Sequence, residues 1–158
     1  MSPKLYIFDA DGTLRWTRIA GQRYPLAPDE WALMPNVAEY LSAIAWSSNG
    51  PWLAVASNQP AVGEGRLSTE LAQCMLTDAL IAALGRLPTE TRIEMCTCPD
   101  WRACARKKPE PGMLTGLLRH YRVAASEAIF VGDQPIDAQA ANGAGIRFVE
   151  ARAFFRFP

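Results

Sequence analysis

Short apolar runs alternate along this chain with longer stretches in which apolar residues recur every three or four positions, a rhythm that requires strands interleaved with helices in an α/β domain. Strands are expected over 4–8, 52–56, 92–95, 128–131 and 146–149. Between the first two, Val37, Leu41, Ile44 and Ala45 fall at i, i+4, i+7 and i+8 and share one helical stripe. Ser68 as N-cap, Glu70 in the first turn and Gly85 as terminator bound a helix carrying Leu71, Met75, Leu76, Leu80 and Leu84. Pro111 and Gly112 introduce another, in which Leu114, Leu117, Leu118 and Tyr121 share a face, and a short helix is expected over 135–142. Right-handed crossovers lay five such strands into a mostly parallel sheet with helices on both faces, a Rossmann-like three-layer sandwich.

With 158 residues, 49% hydrophobic and 20% charged, and no repeat or linker, the chain is expected to form one domain over 1–158. Sixteen basic residues against sixteen acidic ones remove the footprint of a dedicated nucleic-acid binder. The longest apolar run, Ala79 to Leu84, is far short of the roughly 20 residues that a membrane helix needs. Four apolar residues from Leu5 to Phe8 are too few for a secretory segment, so a cytoplasmic location is the expectation. The stretch 15–29, with Pro25 and Pro28, is too polar and broken for a core element and should form a loop or small hairpin over one end of the sheet. Cys74 lies mid-helix and reads as a small core residue.

Ligands of open α/β sheets bind outside the carboxyl ends of the strands, and there the polar residues of this chain gather. The first strand runs into Asp9-Ala10-Asp11-Gly12-Thr13, the second into Ser57-Asn58-Gln59, and the fourth into Gly132-Asp133-Gln134-Pro135-Ile136-Asp137. Singly, each piece also suits an ordinary turn. Their order and their shared position at strand ends mark a site.

This series, with Lys108-Pro109 between the second and third pieces, resembles the four motifs of the haloacid dehalogenase superfamily of phosphohydrolases over nearly the whole chain. The stretch from Lys107 to Met113 is similar to the motif of the branch that holds heptose bisphosphate and histidinol phosphatases. The resemblance implies a phosphatase in which Asp9 attacks phosphorus and Asp11 protonates the leaving oxygen and then activates water. It implies Ser57 and Asn58 around the phosphoryl oxygens and Lys108 as a cation at the same charge. It also implies Mg²⁺ held by the carboxylates of Asp9 and Asp133 and the backbone carbonyl of Asp11. Asp137 is expected to orient Lys108 or a metal-bound water; on spacing alone, Lys108 and Asp137 suit solvated surface positions equally well.

Arg15, Arg18 and Arg23 on the irregular loop, with Lys107, are candidate substrate contacts, or else solvated surface groups. Gln134 stands where the heptose enzymes tend to carry lysine, which puts the substrate in question rather than the reaction. The loop over 95–107 carries Cys96, Cys98 and Cys104, three soft ligands where the branch binds a structural zinc with four. Either Asp100 or another group completes a Zn²⁺ site, or the thiols are free in a loop packed by Trp101. His120 is expected away from the crevice. The stretches 12–56 and 59–107 are already used by scaffold, so no cap domain is expected. The partner is then a small phosphorylated substrate at an open site, in a monomer or small homo-oligomer. Phe154, Phe155 and Phe157 dock on the body or on a second subunit. The alternatives are a polynucleotide 3′-phosphatase and a non-catalytic binding module of the same fold.

Overall fold

The computed structural model describes residues 2–158. Five parallel strands form the central sheet: β1 (Leu5–Phe8), β4 (Trp52–Asn58), β5 (Arg92–Cys96), β6 (Ala128–Gly132) and β7 (Arg147–Glu150). Their order is β5-β4-β1-β6-β7, with Phe8 aligned to Val55 on one side and Val131 on the other. The chain therefore builds outward from β1 in one direction and then in the other, which makes the end of β1 the switch point where a crevice opens.

The period-two alternation of the strands sorts the core into two layers. Leu5, Ile7, Ala54, Ala56, Ala128 and Phe130 face α4 (Gly112–Tyr121) and α5 (Pro135–Ala144). Phe8, Leu53, Val55, Ile129 and Val131 face α1 (Val37–Ser42), α3 (Thr69–Leu84) and α6 (Ala151–Phe155). A short α2 (Pro60–Gly63) follows β4. The Ser68 hydroxyl accepts the Leu71 N–H at 3.1 Å, and Gly85 closes α3 with φ +79°, as the sequence indicates.

The three-layer sandwich is as expected, with three local differences and a hairpin where a loop or hairpin was expected. The helix expected through Ala45 stops at Ser42, beyond which the Leu41 carbonyl accepts the Trp46 indole N–H at 2.9 Å and the Ile44 N–H at 3.3 Å in place of a further α-turn. Cys74 is exposed, since Ala72, Met75, Leu76, Ala79 and Leu80 occupy the buried stripe of α3 and leave it outside. β4 runs two residues longer than expected and carries Ser57 and Asn58 within the sheet. The stretch 15–29 is anchored as a hairpin of β2 (Arg15–Thr17) and antiparallel β3 (Trp31–Leu33). Across its loop the Glu30 carboxylate accepts the Leu26 N–H at 2.7 Å and the Gln22 amide at 3.1 Å, bonds that hold its carboxyl below its usual range.

The aromatic tail docks on the chain's own body. Phe155 is fully buried against Phe8 and Tyr40, with Phe157 stacked beside it. Between β1 and β4 the only insertions are the hairpin and α1, so no cap domain covers the crevice among the described residues. No described helix is long and apolar enough to cross a membrane.

Candidate active site

Three strand ends and one loop deliver the polar groups. Asp9 follows β1 directly, its N–H bonding the Val131 carbonyl at 2.9 Å so that the ladder fixes the backbone up to the acid. Ser57 and Asn58 end β4, Asp133 follows β6, and Lys108 enters from the loop before α4.

Lys108 is the centre of the arrangement. Its ammonium, buried to 3% exposure, donates to Asp9 Oδ1 at 2.6 Å and to Asp137 Oδ1 at 2.7 Å. Burial opposes its charge, but the two carboxylates outweigh that and hold its pKa above the ordinary lysine value. Burial pushes the Asp9 carboxyl up to about 6 against the pull of Lys108, with repulsion from Asp133 and Asp11 adding to the rise. Asp137 is raised by burial and by Asp9, opposed by Lys108. Its other oxygen accepts the N–H groups of Asp133 and Gln134, both at 3.1 Å, so one carboxylate caps α5 and aims the lysine. Of the two roles expected for Asp137, the contact with Lys108 is present. Asn58 binds the same loop through both ends of its amide, accepting the Lys108 N–H at 3.1 Å and donating to the Lys108 carbonyl at 3.0 Å. Expected as a substrate contact, Asn58 lines the cleft and also positions the lysine through these two bonds.

Arg15 is the larger correction. Expected on an exposed loop, it is fully buried on β2 and grips Asp11, Nε to Oδ1 at 2.8 Å and Nη2 to Oδ2 at 3.4 Å. Tying its neighbour four residues back, it cannot reach out to substrate. Gln59, to which the sequence assigns no role, completes the hold: its amide donates to Asp11 Oδ2 at 3.1 Å and to the buried Ser57 hydroxyl at 2.7 Å. Thr13, also missed, lies within reach of both metal candidates, 3.4 Å from Asp9 Oδ2 and 3.2 Å from Asp133 Oδ1. Both residues sit within motifs read for their neighbours, and sequence contains no signal for where an amide or hydroxyl points.

The donor set fits a hard divalent cation. Carboxylate oxygens of Asp9, Asp133 and Asp137 lie within 4.8 Å of one another. Asp137 is committed to Lys108 and to two backbone N–H groups, which leaves Asp9 and Asp133. Gly12, at φ +88°, lets the backbone beside Asp11 close on them; a Cβ there would meet Asp133 Oδ2 at 2.2 Å. The Asp11 carboxylate, held by Arg15 and Gln59, is outside this group.

Asp9, Asp11, Gly12, Asn58, Lys108, Asp133, Gln134 and Asp137 line a cleft of about 490 Å³ whose outer wall is Trp16, Thr17, Arg23, Tyr24, Pro60, Asp100, Lys107 and Ile136, while Ser57, 1% exposed, lies behind this lining. Trp16, Tyr24 and Ile136 carried no site signal in sequence. Lys107 reaches the wall, but its ammonium donates to the Pro99 carbonyl at 2.6 Å and lies 3.7 Å from Asp100 Oδ1. Arg23 bonds the other Asp100 oxygen at 3.1 Å, while Arg18 is exposed and outside the cleft.

The three thiols do come together: Cys96, Cys98 and Cys104 have sulfurs within 4.8 Å, with Cys96 and Cys104 3.2 Å apart. Burial pushes Cys96 up to about 12, and hydrogen bonding from Cys98 pulls Cys104 down to about 7. A fourth protein ligand is missing among the described residues. Asp100 is engaged with Arg23 and Lys107, and Arg106 turns out to Glu94 at 2.6 Å. The set is thus one short of a closed structural zinc site. Trp101, expected to pack this loop, is 77% exposed. His120 lies exposed on α4 beside Arg92, away from the cleft as expected.

A family model described as haloacid dehalogenase-like hydrolase matches residues 78–151. The D-glycero-beta-D-manno-heptose-1,7-bisphosphate 7-phosphatase of Pseudomonas putida is 33% identical over 145 residues, covering 90% of this chain and 78% of that protein. The enzyme of the same name from Pseudomonas aeruginosa is 35% identical over 148 residues, covering 90% and 77%. Among solved structures, the D,D-heptose 1.7-bisphosphate phosphatase of B. bronchiseptica, complexed with magnesium and phosphate, superposes with a TM-score of 0.75 at 28% identity, covering 92% of this chain and 78% of that one.

Proposed function

This chain belongs to the haloacid dehalogenase-like hydrolases and is a phosphatase, and we propose that it hydrolyses a phosphomonoester of a small metabolite, a sugar phosphate or bisphosphate, through an aspartyl-phosphate on Asp9. The observation that carries this reading is the buried contact of Lys108 with Asp9 and Asp137, beside Asp133, at the switch point of the sheet. An unpaired cluster of acids would be costly to bury; one shared lysine together with a divalent cation offsets it.

Asp9 Oδ2 attacks phosphorus in line with the ester oxygen, while Oδ1 stays on Lys108 and is fixed in orientation. The Asp11 carboxyl gives its proton to the departing alcohol, then takes one from the water that attacks the aspartyl-phosphate. Phosphate leaves and the Asp9 carboxylate is restored. Arg15 and Gln59 keep Asp11 pointed through both steps. Ser57, its hydroxyl held by Gln59, and Lys108 are the groups assigned to the equatorial oxygens. Mg²⁺ would be held by Asp9, Asp133 and the Asp11 backbone carbonyl, where it neutralises charge on the transferring phosphoryl group. Zn²⁺ has no part in this chemistry; an ion at Cys96, Cys98 and Cys104 would need a ligand from solvent. The reading includes a cytoplasmic setting, in which four thiols stay reduced.

Phosphate release with and without Mg²⁺, from an aryl phosphate, sugar mono- and bisphosphates, histidinol phosphate and a 3′-phosphorylated oligonucleotide, tests it. Mg²⁺-dependent release from a sugar phosphate is expected and should be lost in Asp9→Asn. Retained turnover in that variant refutes the covalent step, and preference for the oligonucleotide refutes the substrate class.

A further inference from the structure

An acid that gives up one proton and then takes another must keep its carboxyl aimed through both half-reactions. The Asp11 side chain is 15% exposed, and Arg15, which holds it, is fully buried. The guanidinium donates through Nε to Oδ1 at 2.8 Å and through Nη2 to Oδ2 at 3.4 Å, the fork that suits a carboxylate. The backbone fixes that fork in turn. The Arg15 N–H bonds the Ala10 carbonyl at 3.1 Å, the Arg15 carbonyl accepts the Gly12 N–H at 2.7 Å, and β2 pairs Arg15 with Leu33. Alternation along β2 then leaves Trp16 exposed at the cleft and Arg15 buried.

Gln59, 1% exposed, holds the same carboxylate from β4, its amide donating to Asp11 Oδ2 at 3.1 Å and to Ser57 Oγ at 2.7 Å. Its own N–H bonds the Cys96 carbonyl at 2.7 Å, which ties it to β5 as well. Stability does not account for the pair. Arg15 Nη1 and Gln59 Oε1 are both buried without a hydrogen-bond partner among the described residues, a cost that apolar side chains of similar volume would avoid.

We infer that Arg15, supported by Gln59, is the positioning residue of the acid and base steps: it sets how fast Asp11 protonates a basic leaving group and draws a proton from water, and leaves substrate binding and the attack by Asp9 unaffected. The inference rests on the phosphatase reading above and assigns these residues to particular half-reactions. In the first, Asp9 Oδ2 bonds phosphorus as the ester P–O bond breaks; an alkoxide leaves with the Asp11 proton, whereas p-nitrophenolate is a weak enough base to leave without one. In the second, the water oxygen bonds phosphorus, Asp11 takes one of its protons, and the bond from Asp9 to phosphorus breaks to give phosphate and the free carboxylate. Displacing Asp11 therefore slows both half-reactions for an alkyl ester and only the second for p-nitrophenyl phosphate.

The test compares p-nitrophenyl phosphate with benzyl phosphate, alike in size but unlike in leaving-group basicity, and with heptose 1,7-bisphosphate, all with Mg²⁺. The proteins are the natural chain, Arg15→Met, Arg15→Lys and Gln59→Leu, each checked for folding by its thermal melt. Arg15→Met is expected to lose about 100-fold in kcat on benzyl phosphate and on the heptose ester, with KM within about threefold. On p-nitrophenyl phosphate its phosphoenzyme should accumulate, the share of chains carrying one phosphate at steady state rising about fivefold or more by intact mass. Gln59→Leu should follow the same pattern with a kcat loss of about tenfold, and Arg15→Lys, which keeps the charge without the fork, should fall between the natural protein and Arg15→Met. A folded Arg15→Met whose kcat on benzyl phosphate stays within about threefold of the natural value, or which loses equally on both esters with no phosphoenzyme build-up, overturns the inference while the phosphatase reading stands. If Arg15→Met does not fold, Arg15→Lys and Gln59→Leu decide by the same two readouts. A folded natural protein that releases phosphate from none of the three compounds overturns that reading and the inference with it.

Discussion

Removing the Asp9 carboxylate should make the metal-free protein more stable while abolishing its chemistry. Asp9 is 7% exposed, and burial lifts its carboxyl from 3.8 to about 6 even with Lys108 2.6 Å away. The folded value lies above the unfolded one, so the folded state binds the extra proton. The associated stability is fully present below about pH 4, and is lost as pH rises through about 6. Over that interval of roughly two units, at 1.36 kcal/mol each, the ionised acid costs about 3 kcal/mol. That figure already includes the attraction of Lys108, which keeps Asp137 as its partner when Asp9 is changed. Asn mimics the neutral acid in shape and charge. In chelator at pH 7.5, Asp9→Asn is therefore expected to gain up to about 3 kcal/mol, or about 6–12 °C in Tm for a chain of this size. The gain should fade between pH 6 and 4. Adding Mg²⁺ should narrow the gap, since the natural protein gains binding energy that the variant has largely lost. Thermal melts of both proteins across pH 4–8, with chelator and with Mg²⁺, read all of this. An Asp9→Asn protein less stable than the natural one at pH 7.5 in chelator would refute the claim that burial, not the ion pair, dominates at Asp9.

Other outcomes follow from the same contacts. Lys108→Met strands two buried carboxylates and is expected to cost about 3–5 kcal/mol by urea unfolding, with turnover lost. Asp137→Asn keeps the shape but weakens the hold on Lys108 and the cap of α5, so kcat should fall more than KM rises, with a stability loss of about 0.5–2 kcal/mol. Phe155→Ala empties a fully buried site on the side of the sheet away from α4 and α5, and should cost about 3–5 kcal/mol while leaving turnover per folded molecule intact below its melting temperature. If the three thiols hold no structural zinc, a strong zinc chelator should leave Tm within about 2 °C; a loss of ten degrees or more would show a metal supporting the loop.

Much of the site was legible before the fold was seen, because its residues follow one another along the chain at the ends of strands. Asp9, Asp11, Ser57 and Asp133 come from motifs in which a short apolar run ends in an acid, an amide or a glycine turn, and parallel pairing brings such ends together; Lys108, on a loop, stood out only through the family motif. Arg15 shows the limit. Its charge and its polar neighbourhood both suggest solvent, yet the turn through Gly12 folds it back under Asp11, and a guanidinium paired with a carboxylate can be buried where an unpaired one cannot. Asp100 was weighed as a metal ligand and serves two cations instead.

The sequence by itself determined the layered α/β architecture, the strand ends that carry the chemistry and the helix caps, since period, turn residues and capping residues act within a few positions of one another. Only the tertiary structure decided which cations are free. Charge in a cleft depends on partners that come from distant segments, Arg23 meeting Asp100 across 77 positions and Lys108 meeting Asp9 across 99. Residues so far apart become neighbours only when the hairpin, the cysteine loop and the strand ends close around the same space.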